Sequence, residues 1–361
     1  MSSASTGTGP PTPRRGKQRA STIAEVARRA NVSPATVSRV MNGRFVGDPE
    51  VADRVRQAAA ELRYSPSPLA RSLALGETHT VAFVVPDIGN PTFQAMLSSL
   101  SKSAAADGYR VLIADSAEDP QEEELLAVET RRGCDGLVLC APRMSDERLR
   151  ALLPVLQPVL LINRSSPQFD APSLSVDYGT GVQHLAEHLF ELGHRHIVYL
   201  EGPGPSMANR SRLDGLQSFA ARVGDLRIDR VPAGSSSADG FASGAAVIET
   251  GATAAIAYND LVAVGLVSAL VQLGVSVPRD ISVAGFDDIP LARFMTPRLT
   301  SVSVPYEPLG AEAWTRLHSL IKGDTPSHNL VFQPRLQIRD STGEPTVRAP
   351  GRQAGAAGRQ R

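Results

Sequence analysis

The chain has 361 residues, 42% apolar and 20% charged, an ordinary globular composition too long for one core. Its net charge is zero, and its two cysteines, Cys134 and Cys140, exclude a disulfide framework and read as small buried hydrophobes. No apolar run approaches ~18 residues, which excludes a helical membrane span. The first 20 residues lack the apolar stretch of a secretory signal, so the expected location is cytoplasmic.

The zero hides an asymmetry. Residues 14–75 hold 12 Arg and Lys against 5 Asp and Glu, a net of +7, so the remainder is net acidic by the same amount. A basic module joined to an acidic body is the footprint of a nucleic-acid binder with a separate second function.

Residues 1–20 read as a disordered basic arm. Thr22-Ile23-Ala24-Glu25 then forms a capping-box pattern, and Ile23, Val26, Ala27 and Ala30 give the stripe of an amphipathic helix. Asn31-Val32 makes a tight turn. Ser33-Pro34 opens a second helix, with a hydroxyl to cap free N–H groups and a proline where its missing donor costs nothing. Val37, Val40 and Met41 face inward, while Ala35, Ser38, Arg39 and Asn42 fall on the opposite face. Such a small, wettable surface with one projecting Arg suits a DNA major groove, where Arg can donate two bonds to guanine. The spacing is that of a helix-turn-helix. Asn42-Gly43 ends the second helix. Asp48-Pro49 starts a third, whose Val51, Val55, Ala58 and Leu62 close a three-helix core. Ser67-Pro68 opens a further segment, Leu69 to Leu75, stopped by Gly76. It is too short to be a stable helix alone, but on DNA it can form and place a leucine as a minor-groove wedge.

The run from Thr22 through Ser33-Pro34-Ala35-Thr36-Val37-Ser38-Arg39 to Tyr64-Ser65-Pro66-Ser67-Pro68-Leu69-Ala70-Arg71-Ser72-Leu73 closely resembles the headpiece and hinge of LacI/GalR-family bacterial repressors. The resemblance implies that Pro34, Ala35 and Arg39 face bases and that Thr22, Ser33, Ser38 and Asn42 contact phosphates. Thr36, Tyr64, Ser67, Ala70 and Arg71 complete the implied DNA-binding set, with Leu73 as the wedge. It also implies paired hinge helices at the centre of a near-palindromic operator, and hence a homodimer. Pro34 and Ala35 can offer only apolar contact, so Arg39 is the one long reader on the helix.

From Thr80 onward, apolar runs alternate with helical patterns: Val81–Val85, Arg110–Ala114, Gly136–Cys140, Pro158–Ile162, His196–Leu200, Ala254–Tyr258 and Ile281–Phe286. Continuous apolar runs are expected of parallel strands covered on both faces, and repeated β–α order of doubly wound sheets. The strand exits carry Asp87, Asp115, Asn163, Gly202, Asn259-Asp260 and Asp287-Asp288. Ligands of open α/β sheets bind at such exits, so a rim of carboxylates and amides suits a small polyhydroxylated molecule. Residues of this kind equally often cap the following helix.

The same family likeness continues through Pro86–Phe93, Asp135–Val138, Leu192–Arg195 and Pro278–Asp288, and covers about residues 22–342. It implies a periplasmic-binding-protein-like body of two doubly wound, parallel-sheet subdomains with three crossovers, behind an all-α helix-turn-helix headpiece with a hinge helix. Asn163, Arg212, Asn259 and Asp287 match the family's principal effector contacts, with Asn90 and Phe93 on the opposing wall and Ile88, Asp115, Arg164 and Asp260 beside them. The family's aromatic platform is not clearly present; Asp239 or Phe241 sits near its place. The expected boundaries are the arm at 1–20, a DNA-binding domain at 21–65, a hinge at 66–77, the body at 78–342 and a disordered tail at 343–361. Within the body the N-subdomain takes about 78–176 and 305–332, and the C-subdomain about 177–304 and 333–342.

Gly202-Pro203-Gly204-Pro205 is no phosphate loop, because its prolines remove donors. His194 and His196 lack a third metal ligand, and no Gly-x-Ser-x-Gly elbow is present. The expectation is therefore a cofactor-free, non-enzymatic DNA-binding regulator, a repressor whose operator binding responds to a sugar-like effector, with partners limited to operator DNA, effector and a second copy, and no membrane. The alternatives are a corepressor-dependent regulator responding to a purine, or, in a different class, a solute-binding or enzymatic α/β protein.

Overall fold

The computed structural model describes residues 21–64, 77–324 and 329–346. The chain divides into two compact units, 1–78 and 79–361. The expected hinge residues Ser67, Ala70, Arg71 and Leu73 lie outside the described residues.

The first unit is a three-helix cluster: α1 (Ile23–Ala30), α2 (Pro34–Met41) and α3 (Pro49–Glu61). The capping box forms, with Thr22 N–H donating to Glu25 at 2.7 Å and Glu25 N–H to Thr22 Oγ1 at 3.4 Å. Asn31 ends α1 in the left-handed conformation, φ 54°, which an asparagine tolerates. Val26, Ala27, Ala30, Val37 and Val40 are buried against Ala52, Val55, Ala58 and Ala59. The buried stripe of α3 is thus turned slightly from expectation, leaving Val51 and Leu62 half-buried.

In the second unit, the first sheet orders its strands β11-β5-β4-β3-β1-β2 and the second β12-β10-β9-β8-β6-β7. The first contains β1 (Thr80–Val85), β2 (Arg110–Asp115), β3 (Gly136–Cys140), β4 (Val159–Ile162), β5 (Ser173–Val176) and β11 (Leu330–Phe332). The second contains β6 (His196–Glu201), β7 (Arg227–Pro232), β8 (Ala254–Ala257), β9 (Ser282–Asp287), β10 (Thr300–Ser303) and β12 (Arg335–Gln337). Pairing is parallel except for β10 with β12. The chain changes sheet after β5, after β10 and between β11 and β12.

The inner strands are apolar on both faces because helices cover both. One core cluster joins β1, β3 and β4 with α4 (Pro91–Ala106) and α12 (Tyr306–Ile321), and continues to α7 (Tyr178–Glu191), α8 (Met207–Val223) and the second sheet. Two outer clusters lie against α5 (Pro120–Arg132) and α6 (Asp146–Leu156), and against α10 (Gly244–Glu249) and α11 (Asp260–Gln272). Edge strands depart from the all-buried expectation: in β2, Leu112 and Ile113 are about half exposed, because an edge strand has a neighbour on one side only.

The C-terminal boundary needs a correction. Residues 343–346 pack on the second sheet's lobe rather than starting a loose tail: Gly343 N–H donates to Ser282 Oγ at 3.0 Å, and its carbonyl lies 2.9 Å from His194 Nε2. His194 also bonds Thr253 at 2.8 Å, a structural role, while His196 pairs with Asp229.

Candidate functional site

Two surfaces hold the expected functional residues. On the headpiece, Ser33 caps α2 by accepting from Thr36 N–H at 3.1 Å, and its hydroxyl lies 2.9 Å from Thr36 Oγ1. Ser33, Pro34, Ala35 and Arg39 are exposed, while Thr36, Ser38 and Asn42 are half-buried along one side. Arg39 folds back weakly on its own helix, Nε 3.4 Å from the Ala35 carbonyl, a contact it can exchange for a base edge. Asn42 Nδ2 donates to Ser38 Oγ at 3.4 Å. Thr22 is exposed at the N-terminus of α1, where the positive end of the helix dipole suits a phosphate. Tyr64 is half-buried against the three-helix core.

In the body, a cleft that opens to solvent lies between the lobes, with about 380 Å³ of empty space including that solvent. Asn90, Phe93, Asn163, Arg212 and Asp287 line it together, from both lobes. Three of its strand exits carry a non-glycine residue with left-handed backbone: Ala141 at φ 48°, Asn163 at 55° and Asp287 at 108°. Such residues are strained, and they cluster where a turn must aim a side chain at a ligand.

Arg212, 2% exposed, lies with its guanidinium 3.9 Å from the Phe286 ring centroid, 4.5 Å from Tyr178 and 4.8 Å from Tyr258. Its Nη2 is 3.5 Å from Asp287 Oδ1, whereas Nε and Nη1 have no hydrogen-bond partner. Burial pushes the Asp287 carboxyl up to about 6, against the opposing pull of Arg212 and of the Tyr306 hydroxyl, which donates at 2.6 Å. Asn163 accepts from Val176 N–H at 3.2 Å and donates to Tyr178 OH at 2.8 Å.

The other five expected effector residues do not line this pocket, and each is spent on structure. Asn259 caps α11, accepting from Val262 N–H at 2.9 Å and donating to the Ser235 carbonyl. Asp260 is fully buried, bonded to Ser301 at 2.6 Å and Ile289 N–H at 2.8 Å, with burial raising its carboxyl well above the usual range. Arg164 grips Asp146 and the carbonyls of Pro142 and Met144. Asp115 accepts from Ile88 and Ala117 N–H, bracing a loop, and Ile88 is half-buried apolar packing. Asp239 is consumed in a capping box with Ser236 at the start of α9 (Ser237–Ala242), and Phe241 of the same helix is exposed and does not line the pocket.

Sequence reasoning missed the rest of the wall. Tyr258, one residue before Asn259, holds Ser206 Oγ at 3.0 Å; Tyr178 and Tyr306 follow the first two crossovers; Arg143 follows β3. The signal was present in part, because each adjoins a strand exit or crossover, but a search for polar exits passes over tyrosines.

Residues 22–67 match the bacterial regulatory proteins of the lacI family, and residues 186–342 match the periplasmic binding protein-like domain. The HTH-type transcriptional repressor CytR of Escherichia coli (strain K12) is 30% identical over 341 residues, spanning 90% of this chain and 97% of CytR. The chain belongs to the lacI family. This lacI-family protein is a DNA-binding transcriptional regulator under small-molecule control. It is also similar to a lac repressor dimer bound to operator and the anti-inducer ONPF, with TM-score 0.79, 25% identity and coverage of 90% of this chain and 100% of that one. A CelR–cellobiose complex aligns at TM-score 0.66 and 26% identity, over 89% of this chain and 99% of that one. No described helix is long and apolar enough to cross a membrane.

Proposed function

We propose that this protein is a homodimeric repressor acting on nucleoid DNA in the cytoplasm, whose operator affinity is set by a small polar effector in the interlobe pocket. The observation that carries this reading is Arg212: a buried guanidinium with two nitrogens unbonded, in the lining of the interlobe pocket, in a chain whose headpiece exposes a groove-reading helix. An unbonded buried donor costs about 1–3 kcal/mol, a cost that a ligand acceptor removes. The lac repressor and CelR likenesses, one with operator and both with small ligands, support the same arrangement. Arg39 reads bases; Thr22, Ser33, Ser38 and Asn42 hold phosphates; Leu73 wedges the central step. Asn90, Phe93, Asn163, Arg212 and Asp287 hold the effector. A ligand shifts the operator-binding equilibrium only by its differential affinity for two lobe arrangements.

The test is an operator mobility shift with and without effector, identified by thermal-shift screening of sugars, nucleosides and purines on the full chain. Asp287→Ala is expected to retain operator binding and lose the effector response; a normal response places the effector elsewhere. Leu73→Ala is expected to weaken operator binding with effector affinity intact, and unchanged operator affinity removes the wedge.

A further inference from the structure

The polar groups around the pocket are out of balance. Arg212 Nε and Nη1 have no partner, and the Tyr178 hydroxyl, which accepts from Asn163, retains its own proton to donate. Arg143, 6% exposed, donates from Nε and Nη2 to Glu118, the latter at 2.8 Å, and from Nη1 to the Ala141 carbonyl at 2.9 Å. A guanidinium carries five N–H groups, so about two remain. Its backbone is fixed as well: Arg143 and Met144 N–H both donate to the buried Glu123 carboxylate, at 2.9 Å each.

Acceptors are scarcer. Asn90 Oδ1 is taken by Thr92 N–H and Oγ1, Asn163 Oδ1 by Val176, and Asp287 Oδ1 by Tyr306. Among the described residues Asp287 Oδ2 accepts no hydrogen bond, and Asn163 Oδ1 accepts one of the two it can. The lining residues are two cations and one anion, with Arg143 also paired to the Glu118 carboxylate from outside the lining. In addition, the N-terminal turns of four helices of 14 residues or more (α4, α7, α8 and α12) reach its wall through Thr92, Tyr178, Ala208 and Tyr306. Each brings the positive end of a helix dipole.

A neutral sugar hydroxyl that accepts from arginine also brings a proton needing an acceptor, and this wall has few to give. A carboxylate or phosphate accepts several bonds and brings none, and paired arginine bonds to such groups are the strong ones. Resting on the assignment of this pocket as the effector site, we propose that the effector is an acidic sugar-sized molecule whose carboxylate or phosphate seats between Arg212 and Arg143.

The test measures melting temperature and calorimetric affinity of the full chain with aldohexoses, their uronates and their 6-phosphates at equal ionic strength. At least one acidic member is expected to stabilise the protein where its neutral parent at the same concentration does not, and the uronate and phosphate arms tell which group is read. Arg143→Gln is expected to weaken that ligand at least about tenfold while operator binding persists. Glu118→Gln, which releases Arg143 from its partner, is expected to strengthen it, a change that a purely structural Arg143 would not produce. Neutral parents binding as tightly as acidic ones, in an Arg212-dependent way, overturn the acidic effector and leave the pocket in place. Acidic binding indifferent to Arg212→Lys and Arg143→Gln overturns the pocket assignment itself, and no stabilisation by any acidic member overturns the proposal.

Discussion

The Tyr306 hydroxyl donates to Asp287 Oδ1 at 2.6 Å, a bond that links the two lobes of the body. Tyr306 begins α12, which packs on the first sheet, while Asp287 ends β9 of the second. Asn163 and Tyr178 form the reciprocal link at 2.8 Å, from the first lobe to the second. Both links are in the pocket wall, so a ligand that re-bonds Asp287 or Asn163 acts directly on the contacts between lobes. Tyr306→Phe is expected to lower body stability by about 1.5–3 kcal/mol, the worth of a buried bond to a charged acceptor, measured by urea denaturation. It should also shift the effector concentration that half-releases operator; an unchanged midpoint would separate the link from the switch.

Acid–base linkage gives a second expectation. Glu123 is fully buried, and burial pushes its carboxyl up to about 7 from 4.5, against bonds from Met144 and Arg143 N–H. Its folded value lies above its unfolded one, so between about pH 4.5 and 7 the folded state binds more protons, and stability falls as pH rises through that window. The full effect is about 3.5 kcal/mol at most, from about 1.4 kcal/mol per unit. Asp287, raised to about 6, adds a fall of the same sign at lower pH. Glu123→Gln should flatten the profile between pH 5 and 7.5; an equally steep profile would locate the titration elsewhere.

On the headpiece, Arg39→Ala should reduce operator affinity by about 1–3 kcal/mol, the worth of one bidentate base contact, and relax specificity at a single base pair. Because Arg39 is exposed and makes one weak internal bond, the melting temperature should hold. Binding titrations against single-base operator variants are the check. A uniform loss across all variants would make Arg39 a phosphate contact instead.

Gly202 adds a steric expectation. A Cβ there would lie 2.3 Å from the Tyr258 ring, so no side chain fits without displacing that ring from the pocket wall. Gly202→Ala should therefore weaken effector binding while operator binding without effector stays near wild type. Unaltered effector affinity by calorimetry would show that Tyr258 has room to yield.

The amino-acid sequence by itself determined the headpiece and most of the sheets, because those follow from short-range rules. Thr22 with Glu25 and Ser33 with Pro34 specify helix starts within a few residues, and the runs at Val81, Gly136 and Ile281 are apolar because both their faces are covered. The edge strands β7, β11 and β12 and the short strands β5 and β10 were less legible. β5 and β10 are only four residues long, β11 pairs with a strand remote in sequence, and the edge strands have half-exposed faces that dilute the pattern.

At the site, the strand exits were legible as a rim, but which exit residue faces the pocket was decided by tertiary structure. Asn163 and Asn259 are the same residue type at equivalent exits. The left-handed turn at Asn163 places it in the wall, whereas Asn259, in extended backbone, spends its side chain on the cap of α11 and leaves Tyr258 to form the wall. The reason is that an amide's own backbone competes for it, and only the local φ and the next helix settle that competition. The pairing of Arg143 with Glu118 and the crowding of Arg212 among three aromatic rings join residues 25 to 74 positions apart, which no local pattern encodes.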